Sequence, residues 1–180
     1  LMPSFYETQS LFLSGIYKRY SSIETAIIIL CFARTMHLEI IRQRENDFNY
    51  NVSLEKFWYN FNKIKKPEEK ITSIVTYTGI PKETVRRKIK KLSSLGYLEK
   101  IKGSKGYSWT LSEDDKAAYY KIVEDEIKIL SKFINKLSTF MNLKLDFNDI
   151  EKEIKSQFSF YWYHFLSCEL EWLRYWQTKL

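Results

Sequence analysis

Residues 71–100 read ITSIVTYTGIPKETVRRKIKKLSSLGYLEK, and the organisation of the chain follows from them. Ile71, Ile74 and Val75 recur at helical spacing, and the run stops at Thr78-Gly79. After a turn of about three residues, Pro81 restarts a helix whose buried face is Val85, Ile89, Leu92 and Leu95. Gly96 sits where a left-handed C-terminal cap is needed. That register leaves Lys82, Glu83, Thr84, Arg86, Arg87, Lys90 and Lys91 outside the buried stripe. Downstream, Tyr97–Lys102 and Tyr107–Leu111 flank Gly103-Ser104-Lys105-Gly106, a β-hairpin with a basic tip. Upstream, Leu54, Phe57, Trp58, Phe61 and Ile64 mark a short amphipathic helix that ends at Lys65-Lys66-Pro67. Pro67 then suits the first turn of the next helix, with Glu68 and Glu69 at the positive end of its dipole.

Charge is concentrated in the same region. The chain has 180 residues and a formal net charge of +7. Residues 1–52 are neutral, residues 113–180 carry −2, and residues 53–112 carry +9. A surface that served only solubility would spread its lysines; concentration in sixty residues is an electrostatic footprint for a polyanion. Four of the five glycines also fall between residues 79 and 106, so the flanks, nearly free of Gly and Pro, should be long helices.

Those flanks read as follows. A first helix spans about Glu7 to Tyr20, and Ser21-Ser22-Ile23-Glu24 is a capping box for a second, from about Ser22 to Glu45. Its first half is apolar nearly all round, which implies burial against several neighbours. Asn46 to Asn51 is a polar break. Ser112-Glu113-Asp114-Asp115 opens a long helix to about Met141, with Ile122, Ile129, Phe133, Leu137 and Phe140 among its apolar positions. After a connector, Asn148-Asp149-Ile150-Glu151 opens a last helix to about Gln177. On it Tyr161, Phe165, Cys168, Trp172 and Tyr175 repeat at four-three spacing, a seam suited to a partner helix. Trp162, Leu166, Leu170 and Leu173 form a second stripe beside it, so the helix should touch both its own chain and another.

Helix, helix, short turn, helix and hairpin is the order of a winged helix-turn-helix. The stretch Gly79–Arg87 resembles the turn and recognition helix of bacterial winged helix-turn-helix transcriptional regulators, and Leu92–Leu98 is similar to the helix exit that feeds their wing. The overall layout resembles the multiple-antibiotic-resistance-regulator (MarR) class. That resemblance implies a mainly α fold with three parts: N-terminal helices 1–52 for support and dimerisation, a DNA-binding domain 53–112, and a C-terminal helical hairpin 113–180 for dimerisation. It implies a cytoplasmic homodimer on double-stranded DNA, acting in transcription regulation at a pseudo-palindromic operator. A small-molecule effector in an aromatic-lined crevice between helices and reader is a further implication.

The residues support DNA as a partner on their own chemistry. Arg86 or Arg87 can meet guanine O6 and N7 bidentately from helix 81–95 in the major groove. Lys88, Lys90 and Lys91 suit phosphates. Lys102, Ser104 and Lys105 bring the wing 97–111 to the adjacent backbone or minor groove, and Thr72, Thr76 and Thr78 add neutral phosphate contacts near the turn. Two alternatives stay open: an assembly factor that uses the same fold to bind protein, and a plasmid or phage replication-initiation or partition protein.

Other chemistry finds little support. Cys31 and Cys168 form no disulfide framework. His164 and Cys168 share a helical face without further ligands, so neither metal nor cofactor is expected. Gly103–Gly106 lacks phosphate-loop spacing. The acid pairs Asp114/Asp115 and Glu124/Glu126 read as solvated helix faces, and no catalytic triad is suggested, so an enzyme is not expected. The longest apolar run, Ala26 to Ala33, is too short to span a bilayer, and the opening LMPSFYETQS has no basic n-region or apolar core. Neither membrane insertion nor a secretory leader is expected.

Overall fold

In a computed structural model, which describes residues 1–46 and 52–177, the apolar first half of the second helix becomes the centre of the fold. This helix, α2 (Ile23–Asn46), is buried at every position from Thr25 to Ala33. Only an element enclosed on all sides tolerates an apolar surface all round. Around it pack α1 (Met2–Tyr20), α4 (Ile71–Thr78), α5 (Lys82–Ser94) and, most extensively, α8 (Phe158–Gln177). The remaining elements are α3 (Leu54–Asn60), β1 (Glu69–Lys70), β2 (Leu98–Lys100), β3 (Gly106–Trp109), α6 (Glu113–Phe140) and α7 (Phe147–Ser156). Among the described residues the protein is thus mainly helical, with one small antiparallel sheet of order β1-β3-β2. All three chain segments contribute to one hydrophobic cluster.

The stripe Trp162, Leu166, Leu170 and Leu173 is buried, as its spacing implies, and Phe158 extends it. α1 runs antiparallel to both α6 and α8. Ring contacts and ion pairs set their alignment: Phe12 with Phe165, Phe5 with Phe133, Lys136 with Glu7 and Arg19 with Glu126. The N-terminal end of α1 therefore lies beside the C-terminal ends of α6 and α8.

Several boundaries differ from the sequence reading. α1 begins at Met2 rather than Glu7, since Pro3 is tolerated in a first turn whose N–H groups lack helical partners anyway. At the α1–α2 corner Ser21 is left-handed and closes α1, while Ser22 accepts from Thr25 N at 3.4 Å. Glu24 pairs with Lys88 instead of completing a capping box. Glu69 and Lys70 open no helix; they pair with Tyr107 and Gly106 as strand β1, and α4 starts one residue later. The buried ridge of α6 is Tyr119, Val123, Ile127, Ser131 and Ser138, so Ile122, Ile129, Phe133 and Leu137 sit at its flank and Phe140 is exposed. Two helices, not one, follow the connector. Asp146 caps α7 by accepting from Asn148 N and Asp149 N, and Gln157 leaves helical geometry before α8 restarts. Most of the polar break Asn46–Asn51 lies outside the described residues.

Candidate nucleic-acid interface

α5 is positioned by its apolar edge. Val85, Ile89 and Leu92 are fully or almost fully buried, each worth about 1.5–3 kcal/mol against exposure. An Ile89→Asp change would remove the centre of that contact and unseat the helix. The helix ends in a Schellman motif: Gly96 N donates to Ser93 O (3.1 Å) and Tyr97 N to Leu92 O (3.0 Å). Gly96 has φ +81°, a conformation that glycine adopts without steric cost. Leu95, read as the last residue of the buried face, is 55% exposed, because the left-handed turn at Gly96 redirects the chain there.

With that edge down, Lys82, Glu83, Arg86, Arg87, Lys90 and Lys91 are exposed, while Thr84 is half-buried. They form two adjacent rows, 82-86-90 and 83-87-91, along a helix about 20 Å long. Arg86 pairs with Glu83 at 3.0 Å, an exposed contact of little energetic weight. Among the described residues, Lys82, Arg87, Lys90 and Lys91 make no ion pair, nor do Lys102 and Lys105.

The hairpin is placed by register. Leu98 opposes Trp109 and turns inward with it, Glu99 opposes Ser108, and Lys100 opposes Tyr107. Lys66 Nζ braces its base, 3.3 Å from both Glu99 Oε1 and Thr110 Oγ1. Lys102 and Lys105 are exposed in the connecting turn, and Ser104 is held there by Glu68 and by Gly106 N. The exposed Lys70 of β1 and Lys100 of β2 extend the basic edge, although neither was singled out from the sequence. Strands of two and three residues carry too little alternation to place them, although both lysines belong to the +9 of residues 53–112.

Two expected contacts are corrected. Thr78 is not on the surface: it is 5% exposed, its hydroxyl donates to Ile74 O (2.7 Å), and it accepts from Ile80 N (3.2 Å). It fixes the turn between α4 and α5 from inside. Lys88 is turned away from the basic rows, donating to Ser22 Oγ (2.9 Å) and pairing with Glu24 (3.4 Å) at the start of α2. Thr72 and Thr76 are exposed. Outside the basic rows, Tyr77 anchors α4 to the helical body. Its hydroxyl donates to Glu171 on α8 (2.9 Å), and the Arg34 guanidinium of α2 lies 4.4 Å over its ring. Burial, reinforced by that carboxylate, pushes the Tyr77 hydroxyl up to about 12.

The seam residues of α8 are largely occupied within the chain. Phe165 packs edge-on against Phe12, and Tyr161 donates to Glu153 (3.3 Å). Trp172 is half-buried, whereas Cys168 and Tyr175 are exposed. Glu126 is not solvated: its side chain is 11% exposed and pairs with Arg19. His37 is buried and stacked on Phe57, and desolvation lowers it to about 3, so it stays neutral. Burial likewise raises Cys31 to about 12, which leaves it an inert thiol. Among the described residues no group of three or more His, Cys, Asp or Glu side chains could hold a metal, and no helix is long and apolar enough to cross a membrane. The cavity between helices and hairpin, walled by His37, Trp58, Trp109 and Tyr119, measures about 40 Å³, too small for an effector larger than water.

No family model matches the chain, and no curated protein or solved structure matches it either.

Proposed function

We propose that the protein is a sequence-specific DNA-binding regulator of the winged helix-turn-helix type, with α4 and α5 as the helix-turn-helix and β2–β3 as the wing. The carrying observation is the cluster of exposed cations without acidic partners on α5 and the hairpin turn. Phosphates neutralise such a cluster, and counterion release supplies the affinity. Arg86 and Arg87 read base edges in the major groove; Lys82, Lys90 and Lys91 hold the phosphates on either side. Lys102 and Lys105 follow the neighbouring backbone or minor groove. A buried underside and a Schellman exit hold the helix as a rigid probe.

In this reading the protein works as a homodimer on a two-fold site. Beyond the partly occupied seam, whose Tyr175 is exposed, Met2, Phe140, Met141 and Trp176 are exposed where the ends of α1, α6 and α8 meet, an apolar end suited to a second copy. Light scattering tests the dimer: a mass of two chains is expected, and one chain at every concentration refutes it.

Fluorescence anisotropy with duplex DNA across a salt series tests the DNA reading. Binding should weaken steeply with salt, and Lys90→Ala with Lys91→Ala should flatten the log–log slope by about 2. Equal binding by parent and variant at every salt concentration would remove DNA as the partner and favour a protein partner for the same face.

A further inference from the structure

A groove of about 480 Å³ runs between α1, α6 and α8, away from the basic rows. Its walls are mostly carbon, with Phe5, Leu130, Phe133, Phe165 and Trp172 prominent. Among the polar side chains that interrupt them, Gln9 from α1 and Glu169 from α8 are 6% and 3% exposed. Gln9 Nε2 donates to Glu169 Oε1 at 2.7 Å. That bond uses one oxygen of the carboxylate and leaves two buried atoms, Glu169 Oε2 and Gln9 Oε1, without a hydrogen-bond partner among the described residues.

In the ionised carboxylate the unmet atoms are both acceptors, so what is missing is a donor. One of them belongs to a carboxyl group, which favours a donor with positive charge. Aromatic rings are well represented in the wall, and a ring face attracts a cation while its carbon excludes water. The volume lies in the range of small-molecule sites, and a few convergent polar groups in an apolar wall are their usual composition. We propose that this groove binds a small organic cation, a protonated amine carried on an aromatic body, with the ammonium donating to Glu169 and Gln9 and the body lying among Phe5, Phe133 and Trp172.

In the chain alone the carboxyl holds its proton up to near neutrality, and a bound ammonium would favour its ionised form. Burial raises Glu169 to about 7, opposed by the Gln9 hydrogen bond and assisted by Glu126 on α6, whose charge is matched by Arg19 on α1. His164 and Cys168, on α8 itself, are exposed at the groove. No cation of the described residues is paired with Glu169, so a bound ammonium would be its first counter-charge.

The test uses the full chain without DNA, so its outcome does not depend on the DNA reading. Three probes of one shape are titrated while indole fluorescence is followed: 4-phenylbutylamine, 4-phenylbutanol and 4-phenylbutyrate. The amine should bind once per chain, about tenfold or more tighter than the alcohol, with the carboxylate weakest. Glu169→Gln keeps the shape and should erase the preference for amine over alcohol. Should that variant fail to fold by circular dichroism, Leu130→Trp fills the groove instead and should abolish amine binding. Equal affinity for all three probes overturns the proposal, as does absence of binding or an amine preference that survives either variant. Amine binding that vanishes as chain concentration and mass rise together gives the groove to a second copy and also overturns it.

Discussion

The helical body and the basic face differ in charge balance: residues 1–52 and 113–180 sum to 0 and −2, whereas residues 53–112 carry +9. In the body Arg19 pairs with Glu126 and Lys136 with Glu7 between helices, and Lys155 with Glu151 and Glu124, while Lys18, Lys121, Lys132, Lys144 and Lys152 are exposed without an ion pair among the described residues. On α5 and the hairpin turn, Lys82, Arg87, Lys90, Lys91, Lys102 and Lys105 lack acidic partners among the described residues. Lys88 marks the border. It belongs to α5 by sequence, yet it points back and is matched on α2. Pairing in the body serves the fold, while a set of unpaired like charges repels itself and is stabilised only by an outside anion. Lack of a partner alone does not separate these roles; the distinction lies in clustering, since Lys82, Arg87, Lys90 and Lys91 share two rows of one helix while the unpaired lysines of the body are spread over α1, α6, α7 and a connector.

If this division is right, changes on the two sides should fail in different assays. The largest effect is expected in the body. Arg19→Ala leaves Glu126 mostly buried without its partner and should cost about 3 kcal/mol or more of stability by denaturant titration. Its DNA affinity should be unchanged wherever it remains folded. On the basic face, Arg86→Ala or Arg87→Ala should cost about 1–3 kcal/mol of discrimination between duplexes, read by competition binding, at unaltered melting temperature. Gly96→Ala, at φ +81°, should cost about 1 kcal/mol of stability and weaken binding only by loosening the exit of α5. Lys105→Ala should lower affinity evenly across sequences and flatten the salt slope by about 1.

A pH trend belongs to the body as well. Burial raises the folded Glu169 carboxyl from 4.5 to about 7, so between these values the folded chain holds a proton that the unfolded chain releases. Its contribution to stability is complete below about 4.5 and declines as pH rises through about 7. Glu169→Gln should remove that decline from a series of melting curves, whereas Glu171→Gln should leave it in place.

Legibility in the sequence tracks the range of the interactions. The inward stripe of α5, its glycine exit and the enclosure of α2 were readable because periodicity and a single residue type encode them locally. Strand β1 was not, since its pairing is made with residues nearly forty positions away and two residues show no alternation. The break at Gln157 carries neither Gly nor Pro, and it exists because α7 packs on α6 while α8 packs on α2. Of the candidate site, the exposed cations were visible from the helical register. Thr78 was misplaced because a threonine reads alike whether its hydroxyl meets water or its own helix. Glu126 was misread for a related reason: its partner lies 107 residues earlier in the chain.

Selection of bound duplexes from a random pool tests the central claim most directly. The account predicts enrichment of a two-fold related pair of half-sites with centres about one helical turn or a multiple apart, lost when Arg86 and Arg87 are both changed to alanine. A pool that stays random, or that yields the same sites with both arginines removed, would contradict it.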